Sequence, residues 1–206
     1  DADISSMTDG NLVFDIYMVT APTAAGDQGF EVKLESGSGD DAVPGYATAI
    51  GSEADLGGDQ WHTITQPISG LLAANQWAPK GAVDATGVTK IVWAAAWEAG
   101  QGAVFQIDNV RFVGTAPTDG GGGGVGASGP IAVLADGTLL DGATLVVDAQ
   151  DGGDNAAVIA MAPSATDSTK NVIQISTNDS TKAAAWVALD ADISSMTDGN
   201  LVFDIY

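Results

Sequence analysis

From Asn11 to Thr20 the side chains alternate in character: Leu12, Phe14, Ile16 and Met18 fall on one face, and Val13, Asp15, Tyr17 and Val19 on the other. A period of two predicts a β-strand, because successive side chains of an extended backbone point to opposite sides. Comparable strands are predicted at residues 29–36, 46–50, 60–67, 90–97, 103–113, 144–149, 156–161, 171–176 and 183–189. Turn-forming pairs punctuate them: Asp9-Gly10, Ser38-Gly39, Gly57-Gly58, Asp136-Gly137, Asp141-Gly142 and Asp151-Gly152. Such residues tolerate the backbone angles that reverse a chain. One helical turn is predicted at 71–75. Many short strands with so little helix predict an all-β two-sheet sandwich, not a parallel α/β sheet.

A longer pattern overlies the strands. Residues 1–17, DADISSMTDGNLVFDIY, recur letter for letter as residues 190–206. The recurrence predicts a window cut from a tandem array, with the domain boundary inside the numbering. Residues 114–130, GTAPTDGGGGGVGASGP, have almost no apolar side chain to bury and great backbone freedom, which is the composition of a linker. The expected organisation is therefore the C-terminal two-thirds of one β-sandwich repeat over 1–114, a Gly-rich linker over 115–130, and the N-terminal part of the next repeat over 131–206. A circular permutation engineered with an overlap, or the ends of two identical chains meeting by strand exchange, would give the same recurrence.

Charge narrows the partners. Asp and Glu number 27 against 6 Lys and Arg, a formal net charge of −21. Such a surface repels a phosphate backbone everywhere, which excludes nucleic acid. The acids are scattered among small residues, as expected of a long polymer kept soluble by its charge and attractive to divalent cations. There is no cysteine, so an apolar fraction of 45% must build the core without disulfides. No run of about 18 apolar residues offers a membrane span. The opening Asp, with no signal peptide before it, fits a mature or excised segment and by itself says nothing about export, whereas the composition agrees with a secreted β domain, extracellular or at the cell surface.

Several short motifs carry a resemblance. Asp3-Ile4-Ser5-Ser6, then 10–15 (GNLVFD), 60–64 (QWHTI), 88–91 (VTKI) and 105–112 (FQIDNVRF) are similar to the galactose-binding-like jelly-roll domains found beside bacterial polysaccharide-degrading enzymes. The likeness covers the unit outside its linker, and its closing strand is the most specific piece. It implies a jelly-roll sandwich. It also implies three roles found among members of that family: carbohydrate binding, a structural calcium, or the spacing of other domains.

Catalysis finds little support. The single histidine, His62, stands beside Trp61 in a strand; no Ser lies in a Gly-x-Ser-x-Gly elbow, and carboxylates are too abundant for a pair to identify an acid and a base. No enzyme is expected. Calcium is the stronger expectation, since hard cations take oxygen ligands from Asp, Asn and backbone carbonyls on Gly-rich turns. Asp108 matches a position that supports structural calcium in some relatives of the resembled family, with Asp136 or Asp148 as partners; Asp148, Asp151 and Asp154 also recur every third residue around Gly152-Gly153. A solvated acidic turn is the alternative for each.

Sugar binding asks for an exposed aromatic face. The tryptophans are Trp61, Trp77, Trp93, Trp97 and Trp186, and the expected carbohydrate-binding set is Trp77, Trp93 and Trp97. Trp93 and Trp97 share one strand face, either as a platform or as core, whereas Trp77 lies in a polar stretch. The expected function is a structural or adhesive repeat unit of a long extracellular protein or filament, calcium-stabilised, whose partners are neighbouring copies. The alternative is a carbohydrate-binding module that meets polysaccharide.

Overall fold

The computed structural model describes residues 2–22, 30–38, 41–51, 53–75, 80–95, 102–114, 131–147, 157–177 and 184–189. The strand Asn11–Thr20 (β1) forms where the alternation predicts it. Leu12, Phe14, Ile16 and Met18 all point into the core, and Val13 and Tyr17 are nearly as covered on the opposite face. β1 lies inside a sheet, between two antiparallel neighbours, and on its outer face Trp61 packs against Tyr17 while Val19 stays exposed.

The strands that follow before the Gly-rich stretch are Phe30–Ser36 (β2), Val43–Pro44 (β3), Thr48–Gly51 (β4), His62–Pro67 (β5), Val88–Ala95 (β6) and Val104–Val113 (β7). After it come Ile131–Ala132 (β8), Leu134–Ala135 (β9), Thr138–Leu139 (β10), Ala143–Val147 (β11), Val158–Pro163 (β12), Asn171–Ser176 (β13) and Ala184–Leu189 (β14). One large sheet runs β12-β13-β7-β1-β5, with β8 on β7; the other runs β11-β14-β6-β2-β3, with β4 on β2. The two sheets form the predicted all-β sandwich, and residues on both sides of the Gly-rich stretch supply strands to each.

The predicted helical turn shifts. The helical turn lies at Ile68–Leu71 (α2) instead of 71–75, because Pro67 ends β5 and the i, i+3 pair Ile68 and Leu71 turns inward, both fully buried. A second turn, Glu53–Leu56 (α1), and the two-residue strands lie below the length at which periodicity can be read.

The core between the sheets is aromatic at its centre. Phe14 of one sheet meets Trp93 of the other edge-on, with centroids 5.7 Å apart, and Phe30 meets Phe105 at 4.9 Å. These geometries put the positive edge of one ring against the negative face of the other. Among the described residues of the second sheet, buried charge appears at Glu35. Glu35 is 8% exposed and held by Lys33 at 2.8 Å and Lys90 at 2.9 Å, so two of the few bases serve one carboxylate. Burial pushes this carboxyl up, but the two ammonium groups outweigh it and hold it below the ordinary range. Gly10 marks a close approach, since a Cβ there would run into the carbonyl oxygen of Val113.

Candidate functional site

A bulge in the β1–β7 ladder creates the most chemically distinctive place on the described surface. Val13 pairs with Arg111, and two residues on Asp15 pairs with Asp108, so β7 carries one residue too many. The strain falls on Asn109, whose φ of 52° is left-handed. Asn accepts that conformation better than most residues, and bulges of this kind re-aim side chains. Two carboxylates thereby stand on directly paired strand positions, a placement that costs free energy by repulsion.

Hydrogen bonds absorb part of that cost. Thr63 Oγ1 donates to Asp15 Oδ1 at 2.7 Å, and Asn109 Nδ2 donates to Asp15 Oδ2 at 2.7 Å. The Asn109 backbone N–H donates to Asp108 Oδ1 at 2.8 Å, while Arg111 Nη1 donates to the Asn109 carbonyl at 2.7 Å. Burial raises the Asp108 carboxyl above its ordinary value; the Asn109 N–H opposes this, Asp15 and Asp136 add repulsion, and Lys170 relieves some of it.

The loop between β12 and β13 forms the opposite wall. Gln106, 2% exposed, anchors it: its amide nitrogen donates to the Pro163 carbonyl and to Gln174 Oε1, each at 3.0 Å, and its oxygen accepts from the Ala165 N–H at 2.8 Å. Asp167 then caps a turn by accepting from the N–H and hydroxyl of Thr169. Trp61, just before β5, closes the end. Its indole Nε1 donates to Thr166 Oγ1 at 2.8 Å, and its ring tilts at 47° against Tyr17 with centroids 5.5 Å apart. The result is a cup of about 310 Å³ lined by Trp61, Asp15, Asp108, Asn109, Ser164, Thr166, Asp167 and Lys170. One aromatic wall, several hydrogen-bonding groups of both senses and a lone ammonium are the elements with which a protein grips a polyhydroxylated ligand.

The expected site residues divide accordingly. Trp93 is 1% exposed in the core, which corrects its place in the carbohydrate-binding set: a ring packed between sheets cannot stack on a sugar. Trp77 and Trp97 lie outside the described residues, as does Asp148. Asp108 and Asp136, drawn from opposite sides of the Gly-rich stretch, stand close enough for their charges to interact. Among the described residues, however, no three His, Cys, Asp or Glu side chains converge as a metal-binding group. His62 Nε2 lies 3.0 Å from the Gly57 carbonyl in a partly buried setting.

No known protein family, curated protein or solved structure matches this chain. The cup is therefore read from its own residues. Its signals in the sequence were Asp15, a carboxylate set in an otherwise apolar strand, and Trp61, an indole at the mouth of an alternating strand. Thr166 and Lys170 gave none, because they reach the cup only through the β13–β7 pairing.

Proposed function

We propose that this chain is a non-catalytic repeat unit of a long extracellular polypeptide, structural or adhesive in role. The observation that carries the reading is the letter-for-letter recurrence of 1–17 at 190–206, on opposite sides of a glycine-rich stretch. A row of like sandwiches joined by flexible segments is suited to length and to multivalency, whereas repeating an active site in series gains little. Electron microscopy of the native polypeptide tests this. A regular axial spacing of one sandwich per repeat is expected, and isolated particles without periodicity would contradict it.

The cup at Trp61 favours a second reading, a carbohydrate-binding module, and the two are compatible if the polymer adheres through weak serial sugar contacts. Retention of the protein on polysaccharide gels, lost in Trp61→Ala at an unchanged melting temperature, would support it; equal retention of both proteins would remove the cup from the binding surface. Calcium belongs to the repeat-unit reading, at Asp108. A divalent cation there would offset the repulsion from Asp15 and Asp136, with Asp108 and Asp136 supplying carboxylate oxygens. Chelation should then lower the melting temperature of the wild type more than that of Asp108→Ala; an equal drop in both would exclude Asp108 as a ligand.

A further inference from the structure

The sheets can be read as one ribbon folded over on itself. Four antiparallel pairings nest inside one another: β2 with β4, β1 with β5, β14 with β6, and β13 with β7. The second arm of the ribbon, β4-β5-β6-β7, is continuous in the chain. The first arm reads β13-β14-β1-β2, and in it the sheets alternate without exception. That order is the winding of a jelly roll, yet β14 ends at Leu189 and β1 belongs to the other end of the numbering.

The two ends of the broken arm meet on β6. Ala188 pairs with Lys90, and Ala2 bridges Val88 two positions further along the same strand. The Ala2 N–H donates to the Val88 carbonyl at 2.7 Å, and the Val88 N–H returns a bond of 3.0 Å. Ala2 thus continues the line of β14. The residues that follow Leu189 are Asp190 and Ala191, the same pair as Asp1 and Ala2. From Ala188 to Ala191 is three residues, which extend to about 10 Å, while two residues of β6 rise about 7 Å. The covalent chain therefore reaches the place of Ala2 with one residue of bulge to spare.

We infer that the slot held by residues 1–17 is exchangeable, and that residues 190–206 are its second occupant, entering directly from Leu189 within the same chain. The arriving side chains are the right ones: Leu201, Phe203 and Ile205 repeat Leu12, Phe14 and Ile16, each fully buried here, and Gly199 repeats the Gly10 that Val113 requires. Filled this way, the first arm becomes one covalent run from β13 to β1. The boundary between domains then falls in the glycine-rich stretch, where boundaries are commonly found, and the unit's own ends stand side by side, as Phe112 and Ile131 do. Every sandwich of an array would be sealed by the strand that follows Leu189.

This deepens the repeat reading and rests on it for its meaning in an array, but the exchange is testable in the 206-residue chain alone. A charge at Phe14 cannot enter the core. Phe14→Asp in the full chain should keep a cooperative thermal transition, because Phe203 takes over; Phe14→Asp with Phe203→Asp should lose it. Unfolding of the single variant as complete as that of the double would overturn the inference. A disulfide gives an independent arm in a chain with no native cysteine. Asp204 repeats Asp15, whose partner on β5 is Thr63. Thr63→Cys with Asp204→Cys in the Phe14→Asp background should cross-link within one chain. No link, or a link found only between chains, would overturn the proposal even if the core tolerated both charges. Micrographs without periodicity would end the repeat reading and leave the exchange intact, so the two fail separately.

Discussion

Two tryptophans show how little a residue type says without its surroundings. Trp93 lies on an alternating strand face and is sealed between the sheets against Phe14, whereas Trp61 lies just outside a strand and closes a cup. Trp93→Ala should cost about 3–5 kcal/mol through lost contacts and the cavity left behind, read as a fall in the urea midpoint at unchanged slope. Its indole Nε1 has no hydrogen-bond partner among the described residues, a burial that itself costs about 1–3 kcal/mol. Trp93→Phe, which removes that donor and keeps a ring, should therefore be clearly milder than the Ala variant; equal losses would contradict this. Asp108 makes a sign-specific prediction. Its carboxyl is raised by burial and by Asp15 and Asp136, so the folded state holds this proton to higher pH than the unfolded state does. Stability from this group falls as pH climbs above about 4, and its penalty is complete once the pH has passed the raised value. With divalent cations removed by chelation, Asp108→Asn, which keeps an oxygen for the Asn109 N–H, should raise the melting temperature at pH 7, and the gain should shrink toward pH 4. A gain independent of pH would contradict the assignment.

At the scale of elements, alternation and turn residues made the longer strands readable, because each presents one face to a core and a period of two survives over five or more residues. Asn11–Thr20 and Asn171–Ser176 appear with the expected bounds. The two-residue strands and the helical turns were not readable: their existence depends on neighbours far away in the chain, and Pro67 with Ile68 and Leu71 decides α2 by packing. The candidate cup was legible only in pieces, since Asp15 and Trp61 stand out in the sequence while the wall from Ser164 to Lys170 arrives through long-range pairing. Pairing also gives β2 its one buried ion cluster. Glu35 is held below its ordinary range by Lys33 and Lys90 despite its burial, so the stabilisation is present above about pH 4.5 and is lost as pH falls through the depressed value. Glu35→Gln should lower stability at pH 7 by about 1–3 kcal/mol and narrow its deficit as the pH drops below 4. Denaturant titrations at pH 7 and pH 3 check this, and an equal deficit at both would contradict it.

For the whole molecule, the acidic surface and the ribbon-like nesting of strands belong together. In the proposed array a net charge of −21 would resist collapse between neighbouring sandwiches, and the glycine-rich stretch between β7 and β8 has the composition of a linker. The repeat reading and the strand exchange both require the domain boundary to lie in that stretch and not at Leu189. Limited proteolysis of a polypeptide of several consecutive repeats measures it directly. Brief digestion should cut within 115–130 and release folded units of one repeat length, each beginning shortly before Ile131 and melting cooperatively. Release of folded units that begin at the residue after Leu189, or loss of folding as soon as the glycine-rich stretch is cut, would contradict it.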